Sequence, residues 1–252
     1  TNSGIYASLA SLLFFEQRNT EAMELLEKGL SGVQDKKTLL AYCFSRGREY
    51  LLRLDVQKAI PCFELISRHI KPPQKQQVEY LLGELFDTAD NDAEAVRHFK
   101  LATEGKEPHA EAFIRLALIY MNSDKEKATE FLVEADRRIP GNSTILFELT
   151  RLYNSQKKYI SAVPVFERIR ANVDSRSNLV LTAEFYLSYG ATCERAGMHD
   201  KAEEIFLDCV GKFPDTHEAL NYLAYMWAEQ GKNLDRALTC VLKALEIEPD
   251  NG

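Results

Sequence analysis

Long apolar runs are missing from this 252-residue sequence. The longest, from Leu9 to Phe15, is interrupted by Ser11 and is far shorter than the roughly 20 residues that a helix needs to cross a bilayer. An excess of basic charge is missing too, because 31 Lys and Arg stand against 38 Asp and Glu, for a formal net charge of −7. This balance does not favour broad attraction to phosphate backbones or anionic lipid. We therefore expect no direct membrane insertion and no nucleic-acid partner.

Glycine, proline and cysteine are also scarce. The chain has 12 Gly and 8 Pro, against 45% hydrophobic and 27% charged residues, which is typical of an ordered, helix-rich protein. Its five cysteines are odd in number and widely spaced, and the chain is too long to need disulfide bonds for its stability. That pattern argues against a disulfide framework, and we expect reduced, buried thiols.

Sequence motifs of catalysis are absent as well. The chain has no metalloprotease-type histidine pair, phosphate loop, nucleophile elbow or dinucleotide fingerprint. One stretch, "YGATCERAGMHDKAEEIFLDC" at 189–209, does collect Cys193, His199 and Cys209. Structural zinc ligands usually come in pairs with two to four intervening residues, whereas five and nine residues intervene here. We predict buried thiols beside a turn histidine, and no catalytic, cofactor or metal site, so the chain is not expected to be an enzyme.

The sequence does contain a repeat. An alanine is followed by a bulky apolar residue four positions on and by a small or apolar residue three further, which places all three on one face of a helix. This pattern occurs seven times, and successive alanines lie 33 to 40 residues apart. The alanines are Ala22, Ala59, Ala95, Ala128, Ala162, Ala202 and Ala237.

A second pattern begins twelve to fourteen residues before these alanines. It consists of an apolar residue, a small residue directly after it, and an aromatic or apolar residue three positions after the small one. Clear cases are Leu82-Gly83-Phe86, Leu116-Ala117-Tyr120, Leu149-Thr150-Tyr153, Tyr189-Gly190-Cys193 and Leu223-Ala224-Trp227. Prolines close several units. Together these features resemble the tetratricopeptide repeat, in style close to bacterial multi-repeat proteins, many of which are associated with the cell envelope.

The resemblance covers the whole chain in seven units, at about 3–36, 40–73, 76–109, 110–142, 143–176, 183–216 and 217–251. Each unit carries two amphipathic patterns joined by a short turn and cannot bury its apolar face alone. We therefore predict an all-α, right-handed α-solenoid of helix-turn-helix units forming a single domain over 1–252. Extra residues at 177–182 are expected to lengthen the first helix of unit six and to place a kink near 174–182. Pro61 and Pro164 are expected in or near the first turn of their helices, where few amide donors are committed.

The resemblance implies that first helices line a concave groove whose residues contact a partner. The positions are Phe44, Arg48, Tyr80, Glu84, Asp87, Ile114, Leu118, Phe147, Arg151, Asn154, Asn221 and Tyr225. Some members of the family grip terminal carboxylates with lysine, asparagine and arginine, and Ser8, Ser11 and Arg48 do not supply that combination here. Aromatic and arginine side chains nevertheless suit an extended or helical peptide.

The resulting functional prediction is a noncatalytic protein-protein interaction scaffold that binds a peptide or protein segment. The alternative is a targeting or regulatory array of a larger enzyme or of a secretion or envelope machine. No polar capping helix follows the apolar segment Val241–Ile247, so we expect either that the natural protein continues or that self-association covers that end with another copy. Two compartments stay open: the cytoplasm and, for an exported bacterial protein, the periplasm or envelope.

Overall fold

The computed structural model describes residues 2–176 and 181–249. These ranges contain fourteen α-helices and no strand, with two helices in each predicted repeat, so the predicted all-α fold is confirmed. The helices are α1 Asn2–Phe15, α2 Asn19–Gly32, α3 Lys37–Leu52, α4 Val56–His69, α5 Gln74–Thr88, α6 Asp92–Ala102, α7 Ala110–Tyr120, α8 Lys125–Arg138, α9 Ser143–Ser155, α10 Tyr159–Arg176, α11 Ala183–Arg195, α12 His199–Lys212, α13 His217–Glu229 and α14 Leu234–Ile247. None of the helices in the described ranges is long and apolar enough to cross a membrane.

The chain divides into two compact units, Thr1–Ile119 and Tyr120–Gly252. The kink predicted near 174–182 includes residues 177–180, which lie outside the described residues, and it stays a prediction. The expected lengthening of the first helix of repeat six is wrong for the residues described. Its helix α11 begins only at Ala183 and has 13 residues, as α9 does, because Thr182 has extended backbone with ψ at 168°. The extension belongs instead to α10, which has 18 residues.

The repeat alanines lie at the centre of each helix pair. Six of the seven are fully buried and Ala237 is 7% exposed. The bulky residue four positions on is also buried in six repeats: Leu26, Phe63, Phe99, Leu132, Phe166 and Phe206 are all 2% exposed or less. The exception is Val241 of α14, at 38%. The apolar face of α14 is exposed in the described structure, and self-association through it stays a prediction.

Close approach between paired helices depends on small residues. A Cβ added to Gly83 would lie 2.5 Å from the ring of Phe99, and one added to Gly190 would lie 2.6 Å from the ring of Phe206. Real Cβ atoms do not come this close to another carbon, so each phenylalanine occupies the space that a side chain at the glycine would need. The predicted pairing of small residues with core phenylalanines is therefore the packing that joins first and second helices.

The turn between the two helices of a repeat is a recurring Schellman motif. In six repeats, a backbone N–H donates to the carbonyl five residues earlier, at 2.9 Å in every case, closing the end of the first helix. The accepting carbonyls belong to Leu13 and Tyr50 and to four third residues of the upstream pattern, Phe86, Tyr153, Cys193 and Trp227. The motif needs a left-handed residue, and Gly197 (φ 76°) supplies it without strain in repeat six, whereas Leu54 (φ 58°) carries it in repeat two.

Pro61 and Pro164 lie deeper in their helices than the sequence suggested. Helix α4 begins at Val56 and α10 at Tyr159, so each proline occupies the sixth helical position rather than the first turn. Each therefore removes one intrahelical hydrogen bond, since proline lacks an N–H. Both helices nevertheless continue beyond their proline, because their apolar faces stay packed, with Phe63 and Phe166 each buried.

Candidate functional site

Two first helices of the second unit, α9 and α11, are held together by contacts at both ends. The rings of Phe147 and Phe185 meet edge to face with their centroids 5.9 Å apart. Further along, the Asn154 amide donates to the Thr192 hydroxyl at 2.9 Å. Helix α9 begins where the Asn142 side chain accepts from the amide of Ile145, which satisfies a donor that the first turn leaves free. These contacts align the exposed faces of α9 and α11 side by side.

A cleft of about 600 Å³ opens along this pair of helices. Three residues predicted from the sequence, Phe147, Arg151 and Asn154, line it together. The sequence reasoning missed the other lining residues, which are Glu148, Thr150, Phe166, Thr182, Glu184, Phe185 and Ser188. A cleft of this size falls within the range of pockets that hold ligands.

The deep part of the cleft is aromatic. The Phe166 ring stacks on Tyr189 with a centroid distance of 5.0 Å and packs edge to face on Phe185 at 5.6 Å. All three are 5% exposed or less, whereas Phe147 is only partly buried and can be reached from solvent. Aromatic side chains provide a large, rigid apolar surface with few rotatable bonds. An apolar side chain entering the cleft would therefore find a preformed floor.

The mouth of the cleft is polar. Arg151 pairs with Glu148 of the same helix at 2.8 Å. On the facing helix, the exposed Glu184 accepts hydrogen bonds from the Thr182 hydroxyl and from its own backbone N–H, and these lower the pKa of its carboxyl. A carboxylate is thus held at the edge of an aromatic floor.

Two further predicted residues, Asn221 and Tyr225, lie on α13 in the same unit. They line a second cleft of about 320 Å³ together with Glu218 and Tyr222. Tyr225 is 56% exposed, and its hydroxyl donates to Glu229 at 2.5 Å. This hydrogen bond is the largest of the causes that raise the pKa of Tyr225.

Predicted groove residues of the first unit are occupied by contacts within the chain. Arg115 of α7 pairs with both Glu84 and Asp87 of α5, the latter at 3.2 Å. Tyr80 stacks on His109 with their ring centroids 4.1 Å apart. The sequence reasoning did not identify Arg115 as the partner of the two acids. Glu84 and Asp87 thus join neighbouring repeats, whereas Tyr80 packs within its own repeat, and a ligand would have to compete with these contacts.

The last four predicted residues do not line the cleft of α9 and α11. Phe44 is 50% exposed and its ring meets Phe63 edge to face at 6.0 Å. Arg48 is exposed and Leu118 is half-buried. Ile114 is only 9% exposed, so it offers the least surface of the twelve. Whether any of these residues contacts a partner stays a prediction.

A buried polar cluster in the first unit also escaped the sequence reasoning. Glu79 accepts a hydrogen bond from Ser67 through one carboxylate oxygen, and His98 Nδ1 lies 2.6 Å from the other. All three residues are buried, beside a cavity of about 300 Å³. Nucleophilic catalysis requires the histidine to lie between the serine and the acid, but here the acid lies between the other two. This arrangement links α4, α5 and α6 and does not activate Ser67.

The stretch 189–209 carries buried thiols, as predicted. Cys193 and Cys209 are fully buried. Burial raises the pKa of Cys193 to about 11 and also raises that of Cys209. His199 is the exposed first residue of α12 rather than a turn residue. The residues that the structure describes contain no group of three His, Cys, Asp or Glu side chains placed to hold a metal ion.

The fourteen paired helices of the described ranges, with this repeat pattern, give the chain the fold of tetratricopeptide-repeat proteins, as the sequence predicted. A comparison with family models finds no match, and neither does a comparison with curated protein sequences. The solved structures described next are similar to this chain at low sequence identity, so they show only that the fold is shared. The C-terminal part of a TPR repeat-containing protein from Cytophaga hutchinsonii is 16% identical, with a TM-score of 0.64 over 97% of this chain and 96% of that one.

Two further tetratricopeptide structures are similar over a shorter part of the chain. YrrB, described as a TPR protein with an unusual peptide-binding site, is 18% identical, with a TM-score of 0.55 over 69% of this chain and 87% of that one. MamA from MSR-1 is 20% identical, with a TM-score of 0.53 over 71% of this chain and 99% of that one.

Proposed function

We propose that the chain is a noncatalytic interaction module that holds a segment of a partner protein in the cleft between α9 and α11. The observation that carries the proposal is the cleft itself, about 600 Å³ with an aromatic floor and a polar mouth. Recognition sites for peptides combine apolar pockets with a few placed polar groups, and this cleft has both.

The chemistry of the lining residues indicates how a segment would bind. Phe147 and the rings beneath it accept an apolar side chain, which is the kind of contact that dominates binding energy at interfaces. Arg151, Asn154 and Ser188 offer hydrogen bonds to an extended backbone. The peptide-binding site described for YrrB, a protein of the same fold, supports the general mode but not the residues.

Affinity capture from cells that make the natural protein tests this function. Three baits are compared: the wild type, a double variant Phe147→Ala with Arg151→Glu, and a control variant Glu130→Ala on the exposed face of α8. We expect at least one protein that is retained by the wild type and the control and is lost from the double variant. Identical retention by all three baits, with circular dichroism showing each to be folded, would overturn the proposal.

A further inference from the structure

The first helices of the second unit carry an unequal set of charges. Helices α9, α11 and α13 contain five glutamates, two arginines and no lysine. The glutamates are Glu148, Glu184, Glu194, Glu218 and Glu229. In the first unit, helices α3, α5 and α7 contain five basic and five acidic residues, so charge is balanced there. The acidic excess is therefore a property of the first helices of the second unit, not of first helices in general, and α9 and α11, which form the cleft, carry three of the five glutamates and both arginines.

Both arginines of this set are already engaged. Arg151 pairs with Glu148, and the Arg195 guanidinium lies over the ring of Tyr159 on α10, 5.9 Å from its centroid. Of the five glutamates only Glu148 pairs with an arginine or lysine among the described residues, and of the other four Glu184 is the one that lines this cleft. It is exposed at the mouth of the cleft, where a cation from outside can reach it.

From this placement we propose that the partner segment is basic, with an aromatic or aliphatic side chain seated against Phe147 above the aromatic floor of the cleft. A lysine or arginine beside that anchor pairs with Glu184 at the mouth. The inference rests on the function proposed above and names the class of segment that the cleft selects. Complementary charge steers such a segment to the cleft and disfavours acidic competitors, which would meet an uncompensated carboxylate.

Three fluorescently labelled nine-residue peptides test the inference by anisotropy titration. Each has a central phenylalanine, flanked on both sides by two lysines, two glutamines or two glutamates. We expect the lysine peptide to bind tightest and the glutamate peptide weakest. Exposed ion pairs contribute modestly, so we expect about a two- to fivefold preference of the lysine over the glutamine peptide at low salt. The preference should shrink as added salt screens the charges.

Two variants assign the preference to one residue. Glu184→Gln should lower the affinity of the lysine peptide about two- to fivefold and leave the glutamine peptide unchanged. Glu130→Gln, on exposed α8 of the same unit, changes the net charge equally and should leave both affinities unchanged.

The failure of this inference is distinguishable from failure of the proposed function. Equal affinities for the three peptides, all lost in Phe147→Ala, would overturn the charge preference while the cleft stays a binding site. A lysine preference that Glu184→Gln does not reduce would overturn the assignment to Glu184. Affinities that Phe147→Ala leaves unchanged would overturn both the inference and the proposed function.

Discussion

Phe147 of α9 meets Phe185 of α11 edge to face, with 5.9 Å between ring centroids, at the place where the two helices form their cleft. Phe185 is 5% exposed and is held by Phe166 and Tyr189, whereas Phe147 is only partly buried. The two rings therefore have different roles. The inner ring supports the fold, and the outer ring presents an apolar surface that a partner can contact.

This difference predicts that binding and stability can be separated. Phe147→Ala should lower partner affinity about tenfold or more, as expected for an aromatic anchor at an interface. Phe166→Ala, at a site 2% exposed, should instead cost about 3–5 kcal/mol of unfolding free energy because it leaves a cavity. Urea unfolding followed by circular dichroism, alongside a binding titration, measures both. Equal stability losses for the two variants would contradict the distinction.

Two Gly→Ala substitutions in repeat six should have opposite effects on stability, because Gly190 packs against Phe206 and Gly211 does not. Gly190→Ala should destabilise the chain by about 1–3 kcal/mol, because a Cβ would lie 2.6 Å from the ring. Gly211→Ala, in α12 with no atom within 4 Å of its would-be Cβ, should stabilise by about 0.5–1 kcal/mol through helix propensity. Unfolding midpoints of the two variants test this. A neutral Gly190→Ala would mean that the helices are not this close.

The cysteines should differ in reactivity. Burial raises the pKa of Cys43 to about 12 and that of Cys62 and Cys193 to about 11, while Cys240 is only partly buried. Since the thiolate is the reacting form, iodoacetamide at pH about 8 should modify Cys240 first. Peptide mass spectrometry over time measures the order, and in denaturant all five cysteines should react. Rapid native labelling of Cys193 would contradict its place in the core.

The buried Glu79 predicts an acid-dependent loss of stability. Burial pushes the pKa of its carboxyl up, but hydrogen bonds from His98 and Ser67 outweigh this, and the net pKa is lowered. The stabilisation is therefore complete above the pKa of an unfolded glutamate, about 4.3, and is lost as the pH falls through the lower folded pKa. The stability difference between wild type and Glu79→Gln should shrink as the pH is lowered from 7 to 3. A constant difference in urea midpoints would show that the carboxylate contributes nothing.

The repeat could be read from the sequence because every unit buries the same kinds of residue at the same spacing. Ala202 and Phe206 lie four positions apart, and one helical face carries both into the core, as in the other units. Helix ends were harder to place, since the left-handed turn residue is glycine in repeats six and seven, at Gly197 and Gly231, but is, for example, Leu54 in repeat two. Nothing in a leucine signals that conformation.

The cleft could be predicted only on one of its two sides. The resemblance to the tetratricopeptide repeat pointed to Phe147, Arg151 and Asn154 on α9, which the structure brings together. Glu184 and Ser188 were missed because their exposure depends on how α11 is rotated against α9. That rotation is set by contacts between residues 38 positions apart, such as Asn154 with Thr192. For the same reason, no local pattern assigns Arg115 to Glu84 and Asp87.

Site-specific photo-crosslinking tests most directly whether the cleft between α9 and α11 holds the partner. A benzophenone side chain is introduced either at Ser188, which is exposed in the cleft, or at Glu130, which is exposed on α8. Each labelled variant is produced in the cells that make the natural protein, and those cells are irradiated. If the cleft holds the partner, a discrete adduct forms at Ser188, is absent at Glu130, and disappears when Phe147→Ala is added. Adducts of equal yield at both positions, or a Ser188 adduct that Phe147→Ala leaves unchanged, would contradict it.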